Sequence, residues 1–133
     1  MLRSVEVKDY MLVHPVTVNV NANMGEAIRV ITDNKISGLC VTDDEGRLVG
    51  ILSELDCLRA ILGTADNEEG GGMVRDYMAS ENLVVATPYE DITDVAQDML
   101  RKQKRRRPVV EEGKLVGQIT CRQLLTAVMG FNS

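Results

Sequence analysis

The chain writes much of itself twice, and that repetition limits its fold more than any other feature. Val7-Lys8-Asp9-Tyr10-Met11 returns as Val74-Arg75-Asp76-Tyr77-Met78, and Gly46-Arg47-Leu48-Val49-Gly50 returns as Gly113-Lys114-Leu115-Val116-Gly117. Both pairs stand 67 positions apart (74 against 7, 113 against 46). Between them the register slips to 68, so that Met24, Ala27, Ile28 and Ile31 match Ile92, Val95, Ala96 and Met99. The slip is undone where Asp43-Asp44-Glu45-Gly46 faces the shorter Glu111-Glu112-Gly113. A shared offset at both ends, with a compensated slip between, marks a duplication. Whatever one copy folds into, the other must fold into as well.

Each copy predicts the same parts. A short helix opens it, over 7–11 and again over 74–78. A β-rich stretch follows, Val16-Thr17-Val18 or Leu83-Val84-Val85. Next comes an amphipathic helix with apolar residues at i, i+3, i+4 and i+7, and Asn23 and Asp91 stand ahead of the two helices as N-caps. Two strands joined by a Gly-bearing turn lead to a closing helix that starts after Ser53 or Thr120. Residues 64–72, TADNEEGGG, read as a linker. The expected organisation is one repeat over 1–63, the linker over 64–72 and a second repeat over 73–133. The expected class is α+β: two pseudo-twofold β-α-β-β-α repeats packed sheet to sheet, each preceded by a short helix. A single repeat would leave an apolar sheet face uncovered, and a second can bury it.

Composition narrows the function. The 133 residues are 44% hydrophobic, normal for a globular chain, but include three Tyr, one Phe and no Trp. The core must be aliphatic, and little is left for stacking on bases. A net charge of −5 also opposes a dedicated nucleic-acid binder. The opening MLRSVEVKDY carries charges where a leader would be apolar, and no window approaches ~18 apolar residues, so the expectation is a cytoplasmic protein with no membrane partner. Cys40, Cys57 and Cys121 are odd in number and widely spaced, which suits a reducing compartment; each reads as a small buried hydrophobe. His14, the single histidine, precedes Pro15 and reads as structural, so no His-based metal cluster is expected. Gly70-Gly71-Gly72 lacks the Lys-Ser/Thr of a phosphate loop. Asp43-Asp44 and Glu111-Glu112 fall in turns and read as solvated. No base accompanies the cysteines, and no catalytic residue is assigned.

The stretches Asp9-Tyr10-Met11 and Asp76-Tyr77-Met78, Pro108-Val109-Val110, the two G-(R/K)-L-V-G turns and Gly50-Ile51-Leu52-Ser53-Glu54-Leu55-Asp56 stand in a set order. In them the chain resembles, over almost its whole length, a tandem pair of cystathionine-β-synthase-type (CBS) domains, a Bateman module. The resemblance implies a pseudo-twofold module with a cleft between its sheets. Such a module binds an adenosine-containing ligand such as AMP, ADP, ATP or S-adenosylmethionine, requires no cofactor, catalyses nothing and regulates a partner protein. It also implies pairing into disc-shaped dimers. Cys40 departs from the family pattern, which has Pro before Val41.

Ser53-Glu54-Leu55-Asp56 supports two readings. In one, Ser53 caps a helix and Asp56 returns a bond to the backbone N–H of Ser53; Thr120-Cys121-Arg122-Gln123 can do the same with Gln123. In the other, which the resemblance implies, Ser53 and Asp56 also hold a nucleotide, the carboxylate accepting from two ribose hydroxyls. Gln123 keeps the cap and loses the charge. Residues 101–107, RKQKRRR, hold six of the 15 basic residues. Arg101 and Lys102 suit a helix C-terminus, while Lys104 and Arg107 align with Ile36 and Leu39, which read as buried. The resemblance implies that Arg105 and Arg106 meet the phosphate of the ligand held by Ser53 and Asp56, with Asn82, Leu83 and Val84 as the adenine wall. A second, weaker site would use Val16, Thr17, Lys35, Thr120 and Gln123.

The alternatives are a structural dimerisation module without ligand, and polyanion or nucleic-acid binding through the basic run. A homodimer is expected because Leu55, Leu58 and Leu62, with Leu124, Leu125 and Val128, add more apolar helix surface than one sheet layer can cover.

Overall fold

A computed structural model describes residues 4–63 and 72–132; the expected linker lies outside these, save for Gly72. The elements, in order, are a 3-10 turn Val7–Asp9, β1 Thr17–Asn19, α1 Met24–Asn34, β2 Gly38–Thr42, β3 Leu48–Ser53 and α2 Glu54–Gly63. A second 3-10 turn Val74–Asp76 follows, then α3 Ile92–Lys102, β4 Arg106–Glu111, β5 Lys114–Thr120 and α4 Cys121–Asn132. The fold is mixed α+β, as expected. The helices start where the sequence places their caps: Asn23 Oδ1 accepts from Glu26 N at 2.8 Å, and Asp91 Oδ1 accepts from Thr93 N at 2.7 Å. Both end on a left-handed residue, Lys35 and Gln103, whose N–H groups return to late helix carbonyls.

The chain divides into two compact units, Val16–Leu83 and Met1–Pro15 with Val84–Ser133. In the first, β2 is the middle strand: it pairs parallel with β1, Val18 opposite Val41, and antiparallel with β3, Cys40 opposite Ile51. Val18, Leu39, Val41 and Leu52 of the sheet bury against Met24, Ala27 and Ile31 of α1, Cys57 and Ala60 of α2, and Val74. Each large aliphatic side chain so buried contributes about 1.5–3 kcal/mol. In the second unit β4 and β5 form an antiparallel pair, and the core joins Val7, Ala86, Ile92, Val95, Met99, Val109 and Ile119.

Two expectations about strands need correction. The first β-rich stretch sits one residue later than 16–18, as Thr17–Asn19. The stretch Leu83-Val84-Val85 forms no strand; the match to β1 shrinks to a single parallel bridge, Ala86 to Val109. Asn82 takes a positive φ of 54°, which turns the chain just before these apolar residues.

The opening turn of each sequence copy packs in the unit that holds the rest of the other copy. Val74 lies in the core with Leu39 and Leu52, and Val7 lies with Val109 and Ile119. Ala79 exchanges both backbone bonds with Ile51 at 2.9 Å, and Leu12 does so with Gln118 at 2.8 and 2.9 Å. Glycine makes room for this. A Cβ on Gly50 would stand 3.0 Å from the Ala79 carbonyl oxygen, and one on Gly117 would stand 2.9 Å from that of Leu12.

Candidate functional site

Both closing helices begin with the reciprocal cap read from the sequence. Asp56 Oδ2 accepts from Ser53 N at 2.8 Å, and Ser53 Oγ accepts from Asp56 N at 3.1 Å. In the other unit Gln123 Oε1 accepts from Thr120 N at 2.9 Å, and Thr120 Oγ1 accepts from Gln123 N at 3.2 Å. The capping reading therefore holds for both copies.

Beyond the cap the two differ. Asp56 is a buried carboxylate, its side chain 12% exposed, and its Oδ1 is held by Arg59 Nη2. Arg59 is largely exposed and also donates to the Tyr77 carbonyl at 3.5 Å. Gln123 has no charge, and the residue matching Arg59 is Thr126, which donates to the Arg122 carbonyl at 2.9 Å. The second copy thus has neither the acid nor its cation. Burial, then the negative charges of Asp56 and Glu54, push the neighbouring Cys57 thiol up. Asp56 therefore adds to the negative potential at the start of α2.

In each unit one candidate segment runs beside the cap. Gly38 is the register partner of Ser53, and Glu54 N donates to the Ser37 carbonyl at 3.0 Å, so the segment after Lys35 runs beside the Ser53 cap. Arg106 is the register partner of Thr120, and Cys121 N donates to the Arg105 carbonyl at 3.0 Å, which sets the basic residues beside Thr120 and Gln123. Val16, Thr17, Lys35, Asn82 and Leu83 belong to the unit of Ser53 and Asp56; Val84 belongs to that of Arg105 and Arg106. Val16, Thr17, Lys35 and Asn82 are exposed, and Leu83 and Val84 are half-buried. Positive φ accounts for Asn82 as a residue type, since Asn enters the left-handed region readily. His14 shares that geometry at φ 56°, consistent with its structural reading.

The basic run is more internal than its composition suggests. Arg107 is buried, as its alignment with Leu39 indicates, whereas Lys104 is exposed against expectation. Arg107 Nη1 donates to Asp98 Oδ2 at 2.9 Å, and Lys102 and Arg101 reach the same carboxylate at 3.1 and 3.3 Å. Hydrogen bonds from Lys102 first, then Arg107, hold Asp98 below the usual carboxylate range. Sequence reading missed Asp98; its signal was an acid matching Val30 at offset 68 while Arg107 matches Leu39. The turn acid Asp43 stays partly open to solvent while its Oδ1 accepts from Glu45 N and Arg47 N at 2.9 Å, and the backbone bonds hold its pKa down. Cys40 and Cys57 are buried as expected, but Cys121 is exposed. Among the described residues no cluster of three His, Cys, Asp or Glu could hold a metal ion, and no helix is long and apolar enough to cross a membrane.

The CBS domain model matches residues 7–63 and again 74–130. CBS domain-containing protein YhcV of Bacillus subtilis is 31% identical over 96% of this chain and 88% of its own length. Protein MJ1225 of Methanocaldococcus jannaschii and inosine-5'-monophosphate dehydrogenase of Aquifex aeolicus are each 38% identical over 86% of this chain; the chain spans only 39% and 23% of their lengths. Among solved structures, CBSX2 in complex with AMP is 29% identical with a TM-score of 0.85, covering 98% of this chain and 100% of that one. CBSX2 from Arabidopsis thaliana also matches at 28% identity, with a TM-score of 0.83 over 97% of each chain. The CBS domain pair of protein MJ0100, in complex with 5'-methylthioadenosine and S-adenosyl-L-methionine, is 25% identical with a TM-score of 0.76 over 96% and 98%.

Proposed function

The chain belongs to the CBS domain family, and on that premise we propose that it is a regulatory module that binds an adenosine-containing ligand and passes the binding event to a partner protein. The observation that carries the reading is the buried Asp56, whose carboxylate exceeds what a cap requires, since Gln123 caps the matching helix without charge. A carboxylate can accept from both hydroxyls of a ribose, and bonds of this charged kind are the strong ones. The AMP complex of CBSX2 and the adenosyl complex of MJ0100 place AMP, 5'-methylthioadenosine and S-adenosylmethionine first among ligands to test. A phosphate role for Arg105 and Arg106, and an adenine role for Asn82, Leu83 and Val84, belong to the same proposal. So does a weaker binding role for Val16, Thr17 and Lys35 in one unit and for Thr120 and Gln123 in the other. Ligand binding would act by favouring one conformational or assembly state over another. No reaction is assigned to the chain.

A second reading, a dimerisation module without ligand, draws on the closing helices. α2 buries only Asp56, Cys57 and Ala60 and leaves Leu55, Leu58, Ile61 and Leu62 at least half exposed. α4 leaves Leu125, Val128 and Met129 similarly open. Such contiguous apolar faces mark interfaces, and we propose a homodimer under either reading. Polyanion binding is the least supported, because Arg101, Lys102 and Arg107 all converge on Asp98.

A thermal-shift screen with AMP, ADP, ATP, 5'-methylthioadenosine and S-adenosylmethionine separates the readings. A ligand at about 100 times its Kd stabilises by about 2.7 kcal/mol, which is several degrees for a chain of this size. A shift with one or more of them supports the ligand reading; none with any supports the dimerisation reading.

A further inference from the structure

We propose that Arg59 is a latch on Asp56, which a ribosyl ligand must open to bind; this rests on the ligand reading above. The argument follows the two carboxylate oxygens. Oδ2 is committed to the helix cap, 2.8 Å from Ser53 N, and cannot leave it without exposing an unpaired N–H at the start of α2. Oδ1 is therefore the oxygen a ribose diol would use. That oxygen is the one Arg59 holds, while the same Nη2 lies 3.5 Å from the Tyr77 carbonyl. The guanidinium thus ties α2 to the segment that follows the Val74–Asp76 turn. Asp56 is nearly enclosed while Arg59 is 60% exposed at its side chain, so the cation can swing into water at little cost and the acid cannot follow.

The duplication supports the pairing. The second copy replaces Asp56 with Gln123 and Arg59 with Thr126, so latch and grip disappear together. Arg59 is consequently a regulator of the site: it satisfies Asp56 when no ligand is present and sets how much of the ribose contact is realised as affinity. An exposed-to-half-buried ion pair of this i, i+3 type is weak, worth at most a factor of about five. The latch tunes affinity and does not close the site.

Calorimetric titration tests this with AMP and with 2',3'-dideoxy-AMP, which has the same base and phosphate and no ribose hydroxyls. Arg59→Gln should bind AMP about two- to five-fold more tightly than the native protein. It should bind the dideoxy compound no better than native, and in an Asp56→Asn background the Arg59→Gln change should give no gain for AMP. If native protein binds AMP and Arg59→Gln binds it equally well, the latch is wrong while the ligand reading stands. If Arg59→Gln weakens both compounds alike, Arg59 touches the ligand itself and the latch is again wrong. If neither native nor Arg59→Gln protein binds AMP, ADP, ATP or S-adenosylmethionine, the ligand reading falls and takes the latch with it.

Discussion

Arg107 and Asp98 form an ion pair, Nη1 to Oδ2 at 2.9 Å, at the two positions where the first copy has the apolar residues Leu39 and Val30. Arg107 is 3% exposed, and its Nε and Nη2 are buried with no hydrogen-bond partner among the described residues. A pair whose cation is buried with unfilled donors, beside a partly exposed acid, is weak evidence for stability, because desolvation of the buried charge can exceed the attraction. Restoring the first copy's pair with Asp98→Val and Arg107→Leu together should leave stability unchanged or raise it by about 1–4 kcal/mol. Removing only the acid strands a buried guanidinium, and Arg107 then costs about 3–5 kcal/mol. Urea unfolding of the three proteins checks the order: double variant at or above native, Asp98→Val well below.

Acid should act through the same carboxylate. Asp98 is held below its ordinary pKa by Lys102 and then Arg107, and Asp43 is held down chiefly by backbone bonds from Arg47 and then Glu45. A depressed folded pKa adds stability above the unfolded value of about 3.9 and loses it as pH falls through the folded value. Midpoints in urea should be flat from neutral pH down to about 5 and drop below about 4. The drop should shrink in the Asp98→Val, Arg107→Leu protein, and unfolding curves recorded at each pH show whether it does.

Most local structure was legible in the sequence because its causes are local. Asn23 and Asp91 cap the helices they precede, Gly46 and Gly113 take φ values of 80° and 81° in the expected turns, and α2 and α4 begin directly after Ser53 and Thr120. What was not legible depends on distant partners. Leu83-Val84-Val85 has strand composition, yet the turn at Asn82 and the pairing of Ala86 with Val109 leave only a bridge. The exchange of opening turns could not be read from periodicity, which fixes an element and not its neighbour. Gly50 and Gly117, bare residues inside strands, were the signal that another backbone comes close. At the site, the cap was legible and Arg59 was not, because an i, i+3 cation beside an acid is common on helix surfaces.

Those glycines yield a packing prediction. Gly50→Ala would drive a methyl against Met78 and the Ala79 carbonyl, and Gly117→Ala would do so against Met11 and the Leu12 carbonyl. Overpacking of this kind costs about 1–3 kcal/mol. Each variant should lose that much in urea titration, with faster amide exchange at Ala79 in the first and at Leu12 in the second.

The open faces of α2 and α4 predict an assembly twice the 14.7 kDa chain mass. Light scattering at micromolar concentration should give that value for native protein. Leu58→Glu and Leu125→Glu, at positions 53% and 66% exposed, should shift it toward monomer without loss of helix signal. A native monomer would remove the dimer from the account.

The central claim is that Asp56 grips a ribose in addition to capping α2, and Asp56→Gln separates the two roles by installing the residue that already caps α4. The fold should lose no more than about 1 kcal/mol, since the cap is kept. The charged acceptor, worth about 1.5–3 kcal/mol, is lost, so AMP affinity should fall roughly 10- to 100-fold. Calorimetric titration of AMP into native and Asp56→Gln protein reads this directly. A weakened but folded variant is the predicted result; equal affinity in the two proteins would show that Asp56 only caps a helix.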